Sequence, residues 1–173
     1  MTKTIFLAAG CFWGAEHYLK QINGVVETET GFANGDRNFA NGEAPTYEQV
    51  YTDQTGYAET VRVVYDPQVL PLEKLLQLYF LSIEPTSVNR QGDDCGTRYR
   101  TGIYYVDPVD RSCINEICRE VQQNYSSPLT VEVEPLDVFF AASEEHQDYL
   151  TKNPNGYCHL PQALFEMARK ANS

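Results

Sequence analysis

The stretch IFLAAGCFWGAEHYL, residues 5–19, decides how the chain is read. Five apolar residues run into Gly10, and a lone thiol, Cys11, is followed at once by Phe12 and Trp13. The apolar run reads as a strand over residues 3–9. Gly10 interrupts it, and the spacing of Ala15, Leu19 and Ile22 predicts a helix from about Cys11 to Ile22, stopped by Asn23-Gly24. A strand therefore hands over to a helix at a cysteine.

Moving outward, Val25–Phe32 reads as a second strand, and residues 33–46 as a long polar loop. YEQVYTDQTGYAETVRVVYDP, residues 47–67, reads as strand, turn at Gln54-Thr55-Gly56, and a largely buried strand over 57–65. LPLEKLLQLYFLSI, 70–83, is a helix with Pro71 in its first turn. A second polar loop covers 84–99, then a strand YRTGIYYVD, a helix from Asp107-Pro108 to about Asn124, and a strand LTVEVEPL. SEEHQDYLTKN reads as a short helix with Ser143 as its N-cap. Leu164, Phe165 and Met167-Ala168 suggest a short amphipathic helix in the tail. Several strands are adjacent and hairpin-like. This favours α+β: a compact two-layer α/β sandwich with a mixed, largely antiparallel sheet, a ferredoxin-like core with additions, and a long irregular C-terminal segment.

The 173 residues suffice for one domain with a real core, expected to span 1–173. A net charge of −11 argues against nucleic acid and anionic membrane surfaces as partners. Ile5–Ala9 is shorter than the roughly 7–15 apolar residues of a secretory core, and no run approaches the roughly 18 of a membrane span. A cytoplasmic monomer is the expectation. The five cysteines (Cys11, Cys95, Cys113, Cys118, Cys158) include no CxxC and no paired Cys/His spacing, so neither a metal nor another cofactor is expected.

Cys11 falls in the first helical turn, where free N–H groups and the positive dipole end can lower a thiol pKa. Gly10 and Gly14 leave room for a ligand near the backbone, and Phe12 and Trp13 can form an apolar wall. Core packing at a strand–helix junction is the competing reading of this stretch. Three successive helical side chains point about 100° apart, so one of them must meet a surface or cleft.

GCFWGAE at 10–16 resembles the signature of the A-type peptide methionine sulfoxide reductases, the MsrA family. PTYEQV at 45–50, TGYAETVRVVYDP at 55–67, NRQGDDCGTRYRTGIYY at 89–105 and EEHQDYLTKNPNGYC at 144–158 resemble that family in the same order. The resemblance implies reduction of methionine-S-sulfoxide, free or in proteins. Cys11 is then the nucleophile, and Phe12 and Trp13 hold the S-methyl group. Glu59 protonates the sulfoxide oxygen, with a pKa raised by apolar surroundings. Tyr47 and Tyr99 hydrogen-bond that oxygen, and Asp94 holds the site and its waters. Cys158, in a tail from about residue 151, resolves the Cys11 sulfenic acid to a disulfide that thioredoxin reduces. Read without the resemblance, Glu59 is an ordinary exposed strand carboxylate, and the two tyrosines are packing residues.

The other side chains get plainer readings. Cys113 and Cys118 border an apolar helix stripe and are structural. Cys95, inside the Asp94 loop, is a modifiable bystander. His17 is a solvated helical residue, His146 lies on a helix surface or holds the tail to the body, and His159 could lower the pKa of Cys158. The chain departs from the family in having no second tail cysteine, Tyr57 in place of a common histidine, and Phe32 in place of a common tyrosine. Two other readings compete: a cysteine hydrolase or acyltransferase with Cys11 activated by His17 or His146, and a non-enzymatic thiol sensor.

Overall fold

The fold is described from a computed structural model, in which residues 1–172 are described. It is built around one doubly buried strand. β1 (Lys3–Ala9) is covered on both faces from Ile5 onward. Ile5, Leu7 and Ala9 point into the main core, and Phe6 and Ala8 point into a smaller one. α1 (Phe12–Leu19) leaves its end. β2 (Val25–Ala33), α2 (Tyr47–Tyr51) and β3 (Ala58–Tyr65) follow. α3 (Leu72–Leu81), the short hairpin β4 (Arg90–Gln91) and β5 (Asp94–Cys95), and β6 (Thr101–Tyr105) come next. α4 (Asp110–Gln122), β7 (Glu132–Pro135), β8 (Phe139–Ala141), α5 (Tyr149–Lys152) and α6 (Gln162–Lys170) complete the chain.

The six-stranded sheet has the order β7-β6-β1-β3-β2-β8. Its four central strands are mutually antiparallel, and β1-α1-β2-β3-α3-β6 is the ferredoxin-like arrangement. β8 adds antiparallel to β2, and β7 adds parallel to β6. The helices bury Ile5, Leu7, Phe12, Tyr18, Val61, Val63, Leu75, Tyr79 and Ile114 against one sheet face. A fully buried side chain of this kind stabilises the fold by roughly 1.5–3 kcal/mol. On the other face, Leu136 from the segment joining β7 to β8 and Phe139 of β8 pack against the smaller cluster.

The loop expected over 84–99 contains the β4–β5 hairpin, and further elements also differ from expectation. Residues 47–51 form a helix, because Thr46 and Gln49 make a reciprocal capping box that starts one. The strand expected over LTVEVEPL is confined to Glu132–Pro135, and β8 was not foreseen. The helix expected at 143–153 is broken: Asp148 sits in the left-handed region at φ 51, so only one turn at Glu144–His146 and the short α5 form. Ser143 makes no capping bond. The tail helix is present as α6, burying Phe165 and Ala168.

Candidate active site

Gly10 turns the chain from β1 into α1 at φ +81, and a Cβ there would lie 2.8 Å from the Gln91 side chain. Cys11 becomes the N-cap residue of α1, but its side chain caps nothing. The cap comes from the sheet. Leu7 pairs with Val61, which sets Glu59 beside the end of β1, and Glu59 Oε1 accepts the backbone N–H of Phe12 at 3.0 Å. A carboxyl group from a distant strand thus satisfies a free donor of the helix whose first turn follows the thiol.

Burial governs the charges here. Glu59 is 1% exposed. Desolvation pushes its pKa from 4.5 up to about 8, opposed by the Phe12 N–H and by Arg98, and reinforced by Asp94 and Asp53. Cys11 is 5% exposed. Its pKa is raised well above the ordinary thiol value, first by burial and then by Glu59, although the N–H groups of Trp13 and Gly14 pull the other way. The lowered pKa expected for a thiol at a helix start is therefore not found, because desolvation outweighs the amide donors.

The aromatic residues divide the wall between them. Phe12 is fully buried, with its ring centroid 5.6 Å from Phe32, 5.6 Å from His146 and 6.2 Å from Tyr47. Trp13 is half-buried and stacks on Tyr149 at 3.7 Å, and its indole N–H donates to His146 Nδ1 at 3.1 Å. Both rings share Tyr47 and His146 as neighbours, and His146 stacks on Tyr47 at 4.3 Å. Tyr47 opens α2, and Tyr99 closes the single turn Thr97–Tyr99. Burial raises the pKa of each, and Glu59 and Cys11 act electrostatically on both.

The tail meets this group from the other side. Cys158 Sγ lies 3.0 Å from where a Cβ on Gly14 would sit, so only glycine one turn from Cys11 leaves it room. Cys11 and Cys158 are both free thiols. Tyr157 donates to Asp94 Oδ1 at 2.9 Å, and Asp94 Oδ2 is buried with no partner among the described residues. Cys158 also lines a cleft of about 330 Å³ with His17, Leu150, Gln162 and Phe165.

The histidines are not where their sequence positions suggested. His17 is half-buried, edge-on to Phe165 of α6 at 4.7 Å, because the tail helix covers that side of α1. His146 is buried and takes the Trp13 N–H, since the break at Asp148 turns it inward. The imidazole of His159 packs against Gly10 and Gly14. Burial lowers its pKa, which disfavours the charged imidazole that would pull down the Cys158 thiol, and burial raises the pKa of that thiol. Glu59 is not an exposed strand carboxylate. Cys113 and Cys118 pack against the core with raised pKa values, Cys113 at about 11, and Cys95 is exposed.

The family model described as peptide methionine sulfoxide reductase matches residues 3–173. The chain belongs to the peptide methionine sulfoxide reductases, A type. It is 51% identical over 171 residues to the peptide methionine sulfoxide reductase MsrA of Lachnoclostridium phytofermentans, covering 99% of this chain and 100% of the relative. The reduced form of Mxr1 from Saccharomyces cerevisiae superposes with a TM-score of 0.87 at 36% identity, over 91% of this chain and 88% of the yeast chain. Mxr1 solved in complex with Trx2 gives 0.59 at 26% identity, over 86% of this chain and 84% of that one.

Within this reductase, several contributors escaped the sequence reading. Glu16 of α1 is buried and accepts the Asp148 N–H at 2.7 Å and the Thr28 hydroxyl at 2.9 Å, tying the His146 segment to the helix that carries the site. Gln147 bridges the same segment to Thr30 of β2. Arg98 and Asp53 pair behind the tyrosines. Among the described residues, no cluster of His, Cys, Asp and Glu is placed to hold a metal ion, and no helix is long and apolar enough to cross a membrane.

Proposed function

We propose that this reductase acts on methionine-S-sulfoxide, free or in proteins, with Cys11 as nucleophile and Glu59 as proton donor. The observation that carries the reading is the buried Glu59 carboxyl, fixed on the Phe12 N–H next to the thiol and holding its proton to about pH 8. Sγ of Cys11 attacks the sulfoxide sulfur while the oxygen takes the proton of Glu59. Glu59 is recharged by the proton that the thiol gives up. The S–O bond breaks and its oxygen attacks Sγ as hydroxide, displacing methionine as the thioether with the electron pair of the new Sγ–S bond. Cys11 is left as a sulfenic acid, so atoms and electrons balance. Phe12 and Trp13 receive the methyl group against aromatic faces, where a sulfur–aromatic contact adds to dispersion. Tyr47 and Tyr99 hold the oxygen as neutral phenols, and Asp94 holds the water beside it.

The Cys158 thiol then attacks the sulfenic sulfur, forming the Cys11–Cys158 disulfide and releasing water. Its place against Gly14 supports this role. A thioredoxin thiolate reopens the disulfide. The yeast relative solved with Trx2 supports that partner, and the cleft beside Cys158 offers a way in. We read residues 1–173 as one catalytic domain acting as a cytoplasmic monomer, which a transient disulfide suits.

The test is reduction of each epimer of a methyl sulfoxide peptide in dithiothreitol, with Cys11→Ser beside the wild type. The reading requires turnover of the S epimer that Cys11→Ser abolishes. No sulfoxide loss in the wild type would refute it. A hydrolase reading is less well supported, because the Nδ1 of His146 is taken up by Trp13 and the His17 ring meets Phe165 edge-on.

A further inference from the structure

Arg98 and Asp53 have no part in the steps above, yet hydrogen bonds join them beside Tyr99. Arg98 is 8% exposed. Its Nη1 donates to Asp53 Oδ2 at 2.6 Å, and its backbone N–H donates to Asp53 Oδ1 at 3.0 Å. The Thr97 hydroxyl donates to the same oxygen at 3.2 Å. The guanidinium carbon lies 4.1 Å from the ring centre of Tyr51 and 4.4 Å from that of Tyr99. Tyr51 stands one turn from Tyr47 on α2, their rings 6.2 Å apart. A continuous chain of ring contacts therefore runs Tyr47, Tyr51, Arg98, Tyr99, with the two α2 rings tilted by 41°. The backbone is shaped to admit it. Asp53 takes a left-handed conformation at φ 60, and a Cβ on Gly96 would lie 2.5 Å from Asp53 Oδ2 and 2.6 Å from Arg98 Nη1.

We propose that Arg98 and Asp53 are a positioning pair: they lock α2 to the Thr97–Tyr99 turn, so that Tyr47 and Tyr99 close on Glu59, and they set opposing charges beside its carboxyl. This rests on Glu59 being the proton donor. Glu59 is hydrogen-bonded to the Phe12 N–H and interacts electrostatically with Cys11 before α1, Tyr47 of α2, Tyr99 and Arg98 of the turn, Asp94 of β5, and Asp53 paired to Arg98. Arg98 favours the ionised carboxylate and Asp53 disfavours it. Neutralising one partner must therefore move the loss of the Glu59 proton in one direction, and neutralising the other must move it in the opposite direction.

The test is the pH profile of first-turnover sulfoxide reduction in wild type, Glu59→Gln, Arg98→Gln, Arg98→Lys, Asp53→Asn and the Arg98→Gln/Asp53→Asn double variant. Asn tolerates the left-handed backbone at 53. The wild-type rate falls on the alkaline side as Glu59 ionises. Arg98→Gln should move that fall upward by roughly 0.5–1 pH unit and Asp53→Asn should move it downward by a similar amount. The double variant should return toward wild type, and Arg98→Lys should keep the wild-type midpoint while losing rate through the lost stack. Shifts in the same direction, or a uniform loss of rate at an unmoved midpoint, would overturn the proposal. Should Arg98→Gln not fold, a downward shift in Asp53→Asn beside an unmoved midpoint in Arg98→Lys supports the pair, and an unmoved midpoint in Asp53→Asn overturns it. An alkaline fall that survives in Glu59→Gln would instead remove Glu59 as the donor. A fall absent from Glu59→Gln but unmoved in the folded pair variants defeats the pair alone.

Discussion

The backbone N–H of Phe12 and the carboxyl of Glu59 are 3.0 Å apart, although 47 positions separate them in the chain. One side chain thus caps the helix behind the thiol and stores an acidic proton. Glu59→Gln keeps an acceptor for Phe12 and removes the proton, so the fold should survive while the rate of sulfoxide reduction falls about 10²–10⁴-fold. Glu59→Ala should lose the cap as well, lowering stability by a further roughly 1–2 kcal/mol. Denaturant midpoints measured beside turnover separate the two effects.

The same group predicts a pH dependence of stability with a definite sign. The folded pKa of Glu59, about 8, lies above its ordinary 4.5. Between those values the folded chain keeps a proton that the unfolded chain has lost. Its contribution is therefore fully present below pH 4.5 and is lost as pH rises through about 8. Thermal unfolding of wild type and Glu59→Gln across pH 5–9 should show the variant gaining relative to wild type as pH rises. Parallel curves would contradict the raised pKa.

Trp13 is held by stacking on Tyr149 and by its bond to His146. His146→Ala removes the acceptor and a stacking neighbour of both Trp13 and Tyr47. Loss of contacts of this size should raise KM for methionine sulfoxide about tenfold with a smaller change in kcat. Steady-state kinetics read the split.

Cys158→Ser should still reduce one sulfoxide per chain and then stop with thioredoxin as the only reductant. A dimedone adduct on Cys11 would report the stranded sulfenic acid. Gly14→Ala offers a subtler version, since its Cβ would meet Cys158 Sγ and His159 Nδ1 at 3.0 Å. It should leave the first turnover nearly intact and slow disulfide formation, as followed by intact-protein mass.

The strand-to-helix passage at Cys11 was legible because hydrophobic period and glycine placement coincide there. The α+β class was legible from the order of strands and helices, but the pairing was not: the hairpin expected over 47–65 is absent, and β1 pairs with β3 and β6, strands distant in the chain. Tyr47–Tyr51 is too short for period to decide, and the strand reading passed over the helical i, i+3, i+4 spacing of Tyr47, Val50 and Tyr51. The signal that settles it, Thr46 with Gln49 three residues on, stood in the sequence as a capping box. His146 was hidden for a different reason. Its inward turn depends on Asp148 adopting a left-handed backbone that a non-glycine residue does not announce, stabilised by Glu16 from another helix. The raised pKa of Glu59 was legible only through the family resemblance, and the burial that raises that of Cys11 was out of reach, since it arises from packing between segments distant in the chain.

The tail carrying Cys158 is not a loose end. Before it, Lys20 pairs with Asp148 at the start of α5. After it, Arg169 donates to Gln21, and the Asn172 side chain donates to the carbonyls of Asn23 and Val69. Residues 153–161 therefore form a strap fastened at both ends. A thiol on a short tether explores little volume and acts at an effective concentration on the order of millimolar. Under the proposed mechanism, a soluble thiol would need a similar concentration to intercept the Cys11 sulfenic acid before Cys158 does, and the anchored strap would make the Cys11–Cys158 disulfide the expected product of each turnover.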